Sequence, residues 1–370
     1  MAAAIVTFGV AAVVASTGAV KSNHLARTTT ATPRPAEATV TVSTTTIAPT
    51  TTTTATPPPP TAPPTTASQG PYGPVALAGC PPPPHPPRPA PPRWHPDVLV
   101  PESSLPDPPP PAPRARDLRP VGGKGMWIWM PERTEGGDVT AIVRRAEQAH
   151  LTELWVRIGD SRNGFYGSSF LNALVPVAHK HGLAVIGWGF PYLYDPAGDA
   201  QWTAASMDWR SPGGDGLDGF SGDIETGSEG TALSARRAAV YLGLSRPHAA
   251  GRPLVATVFP PNDHWANVYP YSAMAPYVDT FAAMVYWGCR EPGEAAAEAI
   301  GRLRPLAPVH VIGQAYDMAP EGGRIGAPAG PEISRFLDVA RRGGAAGASF
   351  WDWQEMTADE WASMIAYRWR

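Results

Sequence analysis

Residues 218–225 read Asp-Gly-Phe-Ser-Gly-Asp-Ile-Glu, a strand pattern that ends in two carboxylates. Side chains alternate along a β-strand, so Ser221, Asp223 and Glu225 share one face while Phe220 and Ile224 take the other. The apolar face is expected to pack on a layer of helices. The stretch therefore predicts a buried parallel strand with two acids at its carboxyl end.

Segments of the same kind alternate with amphipathic stretches from Gly125 onward, the pattern of a parallel sheet covered by helices. The predicted strands are 126–130, 153–160, 184–190, 217–225, 254–260, 280–288, 309–318 and 348–354. The predicted helices are 138–150, 170–181, 232–244, 292–303, 332–342 and 358–367. Eight units in about 250 residues match a (β/α)8 barrel, or TIM barrel. A doubly wound open sheet also fits the alternation, but no glycine-rich phosphate loop follows the first strand and the units stop at eight.

The first 120 residues differ in composition from the rest of the chain. They hold 29 of the 46 prolines and one of the 13 tryptophans, and residues 28–66 contain 18 threonines. Such a composition cannot form a core, so residues 21–120 predict a disordered Thr/Pro-rich linker, either unmodified or O-glycosylated. Residues 1–20 are uncharged and apolar, and they predict a signal peptide or an uncleaved membrane anchor. We therefore expect a secreted or cell-surface protein whose barrel is residues 121–370.

Charge and cysteine content exclude several classes of function. Residues 121–370 carry 21 basic and 27 acidic side chains, which argues against nucleic-acid binding. Cys80 and Cys289 are too few for a disulfide scaffold or a cysteine-ligated zinc site. His179 and His181 have a helical spacing that sends them to different faces, so no metal site is predicted. The chain shows no phosphate loop or nucleophile elbow, and no cofactor is predicted.

The active site of such a barrel lies at the carboxyl ends of its strands, where this sequence places many polar and aromatic residues. The polar candidates are Asp160, Asp195, Asp223, Glu225, Asn262, Asp263, Tyr286, Asp317, Asp352 and Glu355. The aromatic candidates are Trp129, Trp188, Tyr192, Tyr194, Trp287, Tyr316, Trp351 and Trp353. Sugar rings stack on indoles while their hydroxyls need acceptors, so the mixture predicts a carbohydrate site. The alternative is that about half of the tryptophans pack between strands and helices.

Asp223 and Glu225 are the sharpest candidates for catalysis. Their Cα atoms are expected roughly 6–7 Å apart on one strand face. Repulsion between the two acids would keep one protonated and the other ionised, as acid–base catalysis requires. Arg157, near the end of the second strand, offers the alternative of a structural partner for these acids.

The run 218–225 resembles the DGxDxDxE signature on the fourth strand of family 18 glycoside hydrolases, the chitinase group. The resemblance implies that Glu225 is the proton donor and that Asp223 orients the N-acetyl group of the substrate. It also implies that Tyr286, in the Met-Val-Tyr segment 284–286, binds the acetamido group. Trp351 or Trp353 then forms the floor of the sugar site. We expect further substrate contacts from Trp188, Arg157 and Asp317.

Two positions depart from the family pattern. Ser221 stands where the signature has its middle acid, and Trp287 stands where an acid normally follows the sixth-strand tyrosine. The Asp-x-Glu spacing also resembles, more weakly, family 25 lysozymes, which cleave peptidoglycan. The sequence therefore predicts a glycosidase acting on an N-acetylated or cell-wall polysaccharide, or a non-catalytic barrel that binds such a glycan. A different hydrolytic chemistry on the same fold ranks third.

Overall fold

The computed structural model describes residues 71–75, 95–115, 117–321 and 323–369. The predicted signal or anchor at 1–20 and most of the predicted linker lie outside these residues. Within them, every helix is too short or too polar to span a bilayer.

Eight parallel strands close into a barrel, which confirms the (β/α)8 prediction. They are β1 (Lys124–Ile128), β2 (Glu153–Asp160), β4 (Ala184–Phe190), β5 (Gly219–Asp223), β6 (Leu254–Val258), β7 (Thr280–Val285), β8 (Val309–Gln314) and β9 (Gly347–Trp351). Each strand pairs with its neighbours in chain order, and β1 pairs with both β2 and β9. The short β3 (Gly164–Phe165) is an antiparallel addition to the end of β2.

The helices cover the outside of the barrel. They are α1 (Val139–Gln148), α2 (Ser168–Lys180), α3 (Pro196–Asp208), α4 (Ala235–Ser245), α5 (Tyr271–Met274), α6 (Pro292–Leu303), α7 (Gly330–Arg342) and α8 (Ala358–Ala366). Asp138 caps α1 by accepting hydrogen bonds from the amides of Thr140 and Ala141. The sequence did not predict α3, because its buried side chains include polar Thr203 and Ser206 as well as Trp202 and so hide the one-sided apolar pattern.

Strand alternation divides the core into two parts. Met126, Ile128 and Phe220 lie between strands and helices, whereas Trp127 and Trp155 lie inside the barrel with ring centroids 4.8 Å apart. The Trp127 indole donates a hydrogen bond to Ser349 Oγ at 2.7 Å, and His310 Nε2 lies 2.7 Å from the same hydroxyl. The interior is therefore filled with side chains, and a substrate can approach the strands only at an end.

Residues 95–115, which composition assigns to the linker, lie against the outside of the barrel. The amide of Val100 donates to the Tyr194 carbonyl at 3.0 Å. Further along, Arg114 donates to the Ala275 carbonyl at 2.7 Å, and the amide of Ala115 donates to Asp279 Oδ1 at 2.6 Å. The structure therefore places this segment in the folded domain, earlier in the chain than residue 121.

Candidate active site

The two acids singled out from the sequence lie at the carboxyl end of β5. Asp223 is the last residue of the strand and lies opposite Thr257 of β6 in the parallel register. Its side chain is buried, while Glu225, two residues further on, is half-buried. Phe220 and Ile224 lie in the helix-side core. The predicted apolar face is therefore confirmed for Phe220 and Ile224, whereas β5 ends at Asp223 and leaves Glu225 two residues beyond the strand.

The backbone between these acids is held from both sides. The Ile224 amide donates to the Thr257 carbonyl at 3.0 Å, and the Tyr269 hydroxyl donates to the Ile224 carbonyl. Ser221, in place of the signature's middle acid, shares a 2.8 Å hydrogen bond with the Thr257 hydroxyl inside the barrel. Tyr269 was not predicted from the sequence, because it lies 45 residues away from Ile224 in a loop with no motif of its own.

Tyr286 places a phenol within electrostatic range of the two acids. It follows the last residue of β7, and its ring meets that of Tyr316 edge to face at 5.5 Å. Burial raises the pKa of Tyr286 well above its ordinary value, and the neighbouring Tyr316, Asp223 and Glu225 raise it further. The phenol therefore stays protonated, and it can donate a hydrogen bond to a ligand that binds near the two carboxylates.

Trp351 and Trp188 have different positions in the aromatic group. Trp351 is the last residue of β9 and is partly exposed at the mouth. Trp188 is only 2 % exposed, and its indole donates to the Ile128 carbonyl at 3.3 Å. The two rings meet edge to face at 5.5 Å. Trp351 therefore offers the ring surface to a ligand, and Trp188 supports it from the barrel interior.

Trp353 and Trp287 point away from the mouth, and this corrects the expectation that Trp353 lines the sugar site. The Trp353 indole donates to Glu135 Oε1 at 3.0 Å and its ring packs on Trp361 of α8. The Trp287 indole donates to Glu332 Oε2 at 2.9 Å. For Trp353 the reason is that β9 ends at Trp351, so strand alternation does not extend two residues further.

Arg157 is paired within its own strand, β2, and Asp317 is hydrogen-bonded within its own loop. Arg157 forms an ion pair with Asp160 at 3.2 Å, and its guanidinium lies 5.8 Å from the centre of the Trp188 ring. Asp317 Oδ1 accepts hydrogen bonds from the amides of Ala319 at 2.9 Å and Gly326 at 2.8 Å. The observed pairing of Arg157 is thus with its own strand, and Asp317 shapes the loop between β8 and α7.

Most of the remaining polar candidates stabilise loops and helix ends. Asp195 caps α3, Asn262 accepts from two amides of its own turn, and the exposed Asp263 pairs with Arg302 on the surface. Asp352 is buried, which raises its pKa to about 6, and it accepts a hydrogen bond from the Glu355 amide. In the described part of the chain, no group of three or more His, Cys, Asp or Glu side chains is placed to hold a metal ion.

No family model and no curated protein sequence matches the chain. Solved structures with a similar chain path include a chitinase from Chromobacterium violaceum, at 12% identity over 67% of this chain and 100% of that one, with a TM-score of 0.49. A chitinase from Rhizomucor miehei has 15% identity over 65% and 98%, with a TM-score of 0.48. The spore cortex-lytic enzyme SleL of Bacillus cereus has 12% identity over 66% and 73%, with a TM-score of 0.48. The barrel assignment rests on the strand pairing of this chain itself.

Proposed function

We propose that the barrel is a glycoside hydrolase acting on an N-acetylated or cell-wall polysaccharide, with Glu225 as general acid and Asp223 as the assisting carboxylate. The observation that carries the proposal is that two acids at one strand end lie within electrostatic range of the protonated phenol of Tyr286. Partly exposed Trp351 adds an aromatic surface at the same end of the barrel. This combination suits a sugar ring that needs both stacking and hydrogen bonds.

The reaction assigns a separate task to each group. The carbonyl oxygen of the substrate's acetamido group attacks the anomeric carbon, the glycosidic C–O bond breaks, and the leaving oxygen takes the proton of Glu225. Buried Asp223 orients the acetamido N–H and stabilises its developing positive charge, while Tyr286 donates to the acetamido oxygen. The Glu225 carboxylate then accepts a proton from the water that opens the cyclic intermediate.

The test uses the full chain with chitin oligosaccharides and with peptidoglycan, and products are identified by mass spectrometry. Glu225→Gln and Asp223→Asn should each lower the rate by about 10²–10⁴-fold, the usual contribution of such groups. Asp263→Asn is the matched control, because Asp263 lies exposed in the loop after the neighbouring strand β6 and forms an ion pair with surface Arg302. Hydrolysis that persists in both carboxylate variants would reject the assignment.

The second candidate is a barrel that binds glycans without cleaving them. Two observations favour it: Ser221 and Trp287 occupy positions where the family 18 pattern has acids, and Trp287 packs toward the helices. Isothermal titration with the same oligosaccharides separates the two candidates. Binding with no released product would support the lectin-like barrel and make Asp223 and Glu225 ligands of the sugar.

We also propose that the protein is exported or anchored at the cell surface, on the basis of the apolar residues 1–20 and the Thr/Pro-rich segment that follows. The segment would then hold the barrel away from a membrane or wall, close to a polysaccharide. Detection of the chain in the medium or on intact cells tests this location. A wholly internal protein would contradict it.

A further inference from the structure

Tyr269, just before α5, and Tyr271, the first residue of that helix, both use their hydroxyls to hold backbone at strand ends. The Tyr269 hydroxyl donates to the Ile224 carbonyl beyond β5, and the Tyr271 hydroxyl donates to the Phe259 carbonyl beyond β6 at 2.9 Å. Their rings are 5 % and 4 % exposed, with centroids 4.7 Å apart. The Phe259 backbone also hydrogen-bonds the Tyr269 side chain. The two residues are therefore matched in type and burial and both contact Phe259, and Tyr269 differs in that it also holds the end of β5.

The carbonyl that Tyr269 holds belongs to the peptide unit that joins Ile224 to Glu225. The Ile224 amide is bonded to the Thr257 carbonyl and its side chain is buried in the helix-side core. Because the amide, the side chain and the carbonyl of Ile224 are all fixed by these contacts, the peptide plane between Ile224 and Glu225 has little freedom to rotate. The orientation of that plane decides the direction in which the Glu225 side chain leaves the backbone.

The phenol of Tyr269 is suited to a permanent donor role. Burial raises its pKa well above the ordinary value, and nearby Glu225 and Asp223 raise it further. The hydroxyl therefore remains protonated. The same electrostatic coupling places the ring within range of both carboxylates.

We propose that Tyr269 is a positioning residue, whose hydroxyl holds the Ile224–Glu225 peptide so that the Glu225 carboxyl stays aimed at the barrel mouth beside Asp223. Its catalytic consequence rests on the proposed function, whereas its effect on the Glu225 side chain does not. Without the hydroxyl, the buried Ile224 carbonyl loses this donor and the peptide plane can tilt. A displacement of about 1 Å at a catalytic group can lower a rate roughly a hundredfold.

The kinetic experiment compares Tyr269→Phe with Tyr271→Phe in the full chain, using the oligosaccharide that the wild-type protein cleaves. Tyr269→Phe should lower kcat about 10–100-fold and leave KM within about threefold, because the lost interaction acts on the transition state. Tyr271→Phe should change kcat less than about threefold. An unchanged kcat in Tyr269→Phe, or equal losses in the two variants, would overturn the positioning role.

A spectroscopic experiment tests the same role without any activity. The protein is labelled with ¹³C at the glutamate carboxyl groups, and the Glu225 signal is assigned by its loss in Glu225→Gln. The signal should shift in Tyr269→Phe and stay in place in Tyr271→Phe. If the wild-type protein cleaves nothing while this pattern is found, the proposed function fails and the positioning role stands. If Tyr269→Phe leaves the signal unmoved, the positioning role fails whatever the activity.

A second variant covers the case in which Tyr269→Phe does not fold. Trp265 accepts the Tyr269 amide hydrogen bond at its carbonyl, and its partly exposed ring lies 6.3 Å from that of Tyr269. Trp265→Ala removes this packing and loosens the Tyr269 ring, so it should move the Glu225 signal from its wild-type position. A signal that stays at its wild-type position in Trp265→Ala would then contradict the proposal.

Discussion

Asp279 joins three parts of the domain at the end opposite the candidate site. It forms an ion pair with Arg246, and the two side chains are only 1 % and 2 % exposed. The same carboxylate accepts hydrogen bonds from the amides of Leu254, the first residue of β6, at 2.7 Å and of Ala115 at 2.6 Å. Replacing Asp279 therefore acts on a helix end, a strand start and the packed N-terminal segment together.

The loss of unfolding free energy expected for Asp279→Ala follows from the groups that lose their partner. The guanidinium of Arg246 stays buried without its counter-charge, which costs about 3–5 kcal/mol. Two amides lose their acceptor at about 1 kcal/mol each, but contributions from neighbouring contacts are not additive. We expect a loss of about 4–6 kcal/mol in the free energy of unfolding. Asp279→Asn keeps an acceptor for an amide and should cost about 3 kcal/mol, the lower end for a broken buried pair.

The loss of unfolding free energy in Asp279→Ala is measured by unfolding in guanidinium chloride, monitored by tryptophan fluorescence. For a slope of about 4 kcal/mol per M, the midpoint of Asp279→Ala should fall by about 1 M or more. Asp263→Ala is the matched control, because Asp263 makes the same kind of pair with Arg302 while 94 % exposed. That variant should lose less than about 1 kcal/mol. Equal shifts in the two variants would refute the assignment of stability to the buried pair.

Three further predictions concern the mouth, the pH dependence and the core. Trp351→Ala should weaken glycan binding about tenfold in isothermal titration, whereas Trp353→Phe should not; equal losses would contradict the assigned orientations. Hydrogen bonding to Asp218 raises the pKa of His179, so its stabilisation is present below the unfolded pKa and is lost as pH rises through the folded one. His179→Gln should therefore cost more at pH 5.5 than at pH 8.5 in urea unfolding, and no difference would count against it. Phe220→Ala, in the helix-side core, should cost about 3–5 kcal/mol in the same assay, and a loss under about 1 kcal/mol would be inconsistent with its burial.

The barrel is predictable because its signal is local. Period-2 alternation and short apolar runs predicted the bounds of β2 and β4 as observed, and a helix at 292–303 that coincides with α6. The prediction failed for α3, where burial on several sides removes the amphipathic pattern. It also extended β5 to Glu225, because local alternation does not reveal where strand pairing stops.

The amino-acid sequence alone was enough to specify eight strand–helix units and two acids at the end of the fourth barrel strand, because neighbouring residues encode strand alternation. The tertiary structure decided which groups surround those acids. It turned Trp351 to the mouth and Trp353 to the helices, and it packed residues 95–115 on the barrel. It also brought Tyr269 to Ile224 across 45 residues. These outcomes depend on how loops close over the strand ends, and loop closure is set by contacts between distant residues that no local pattern records.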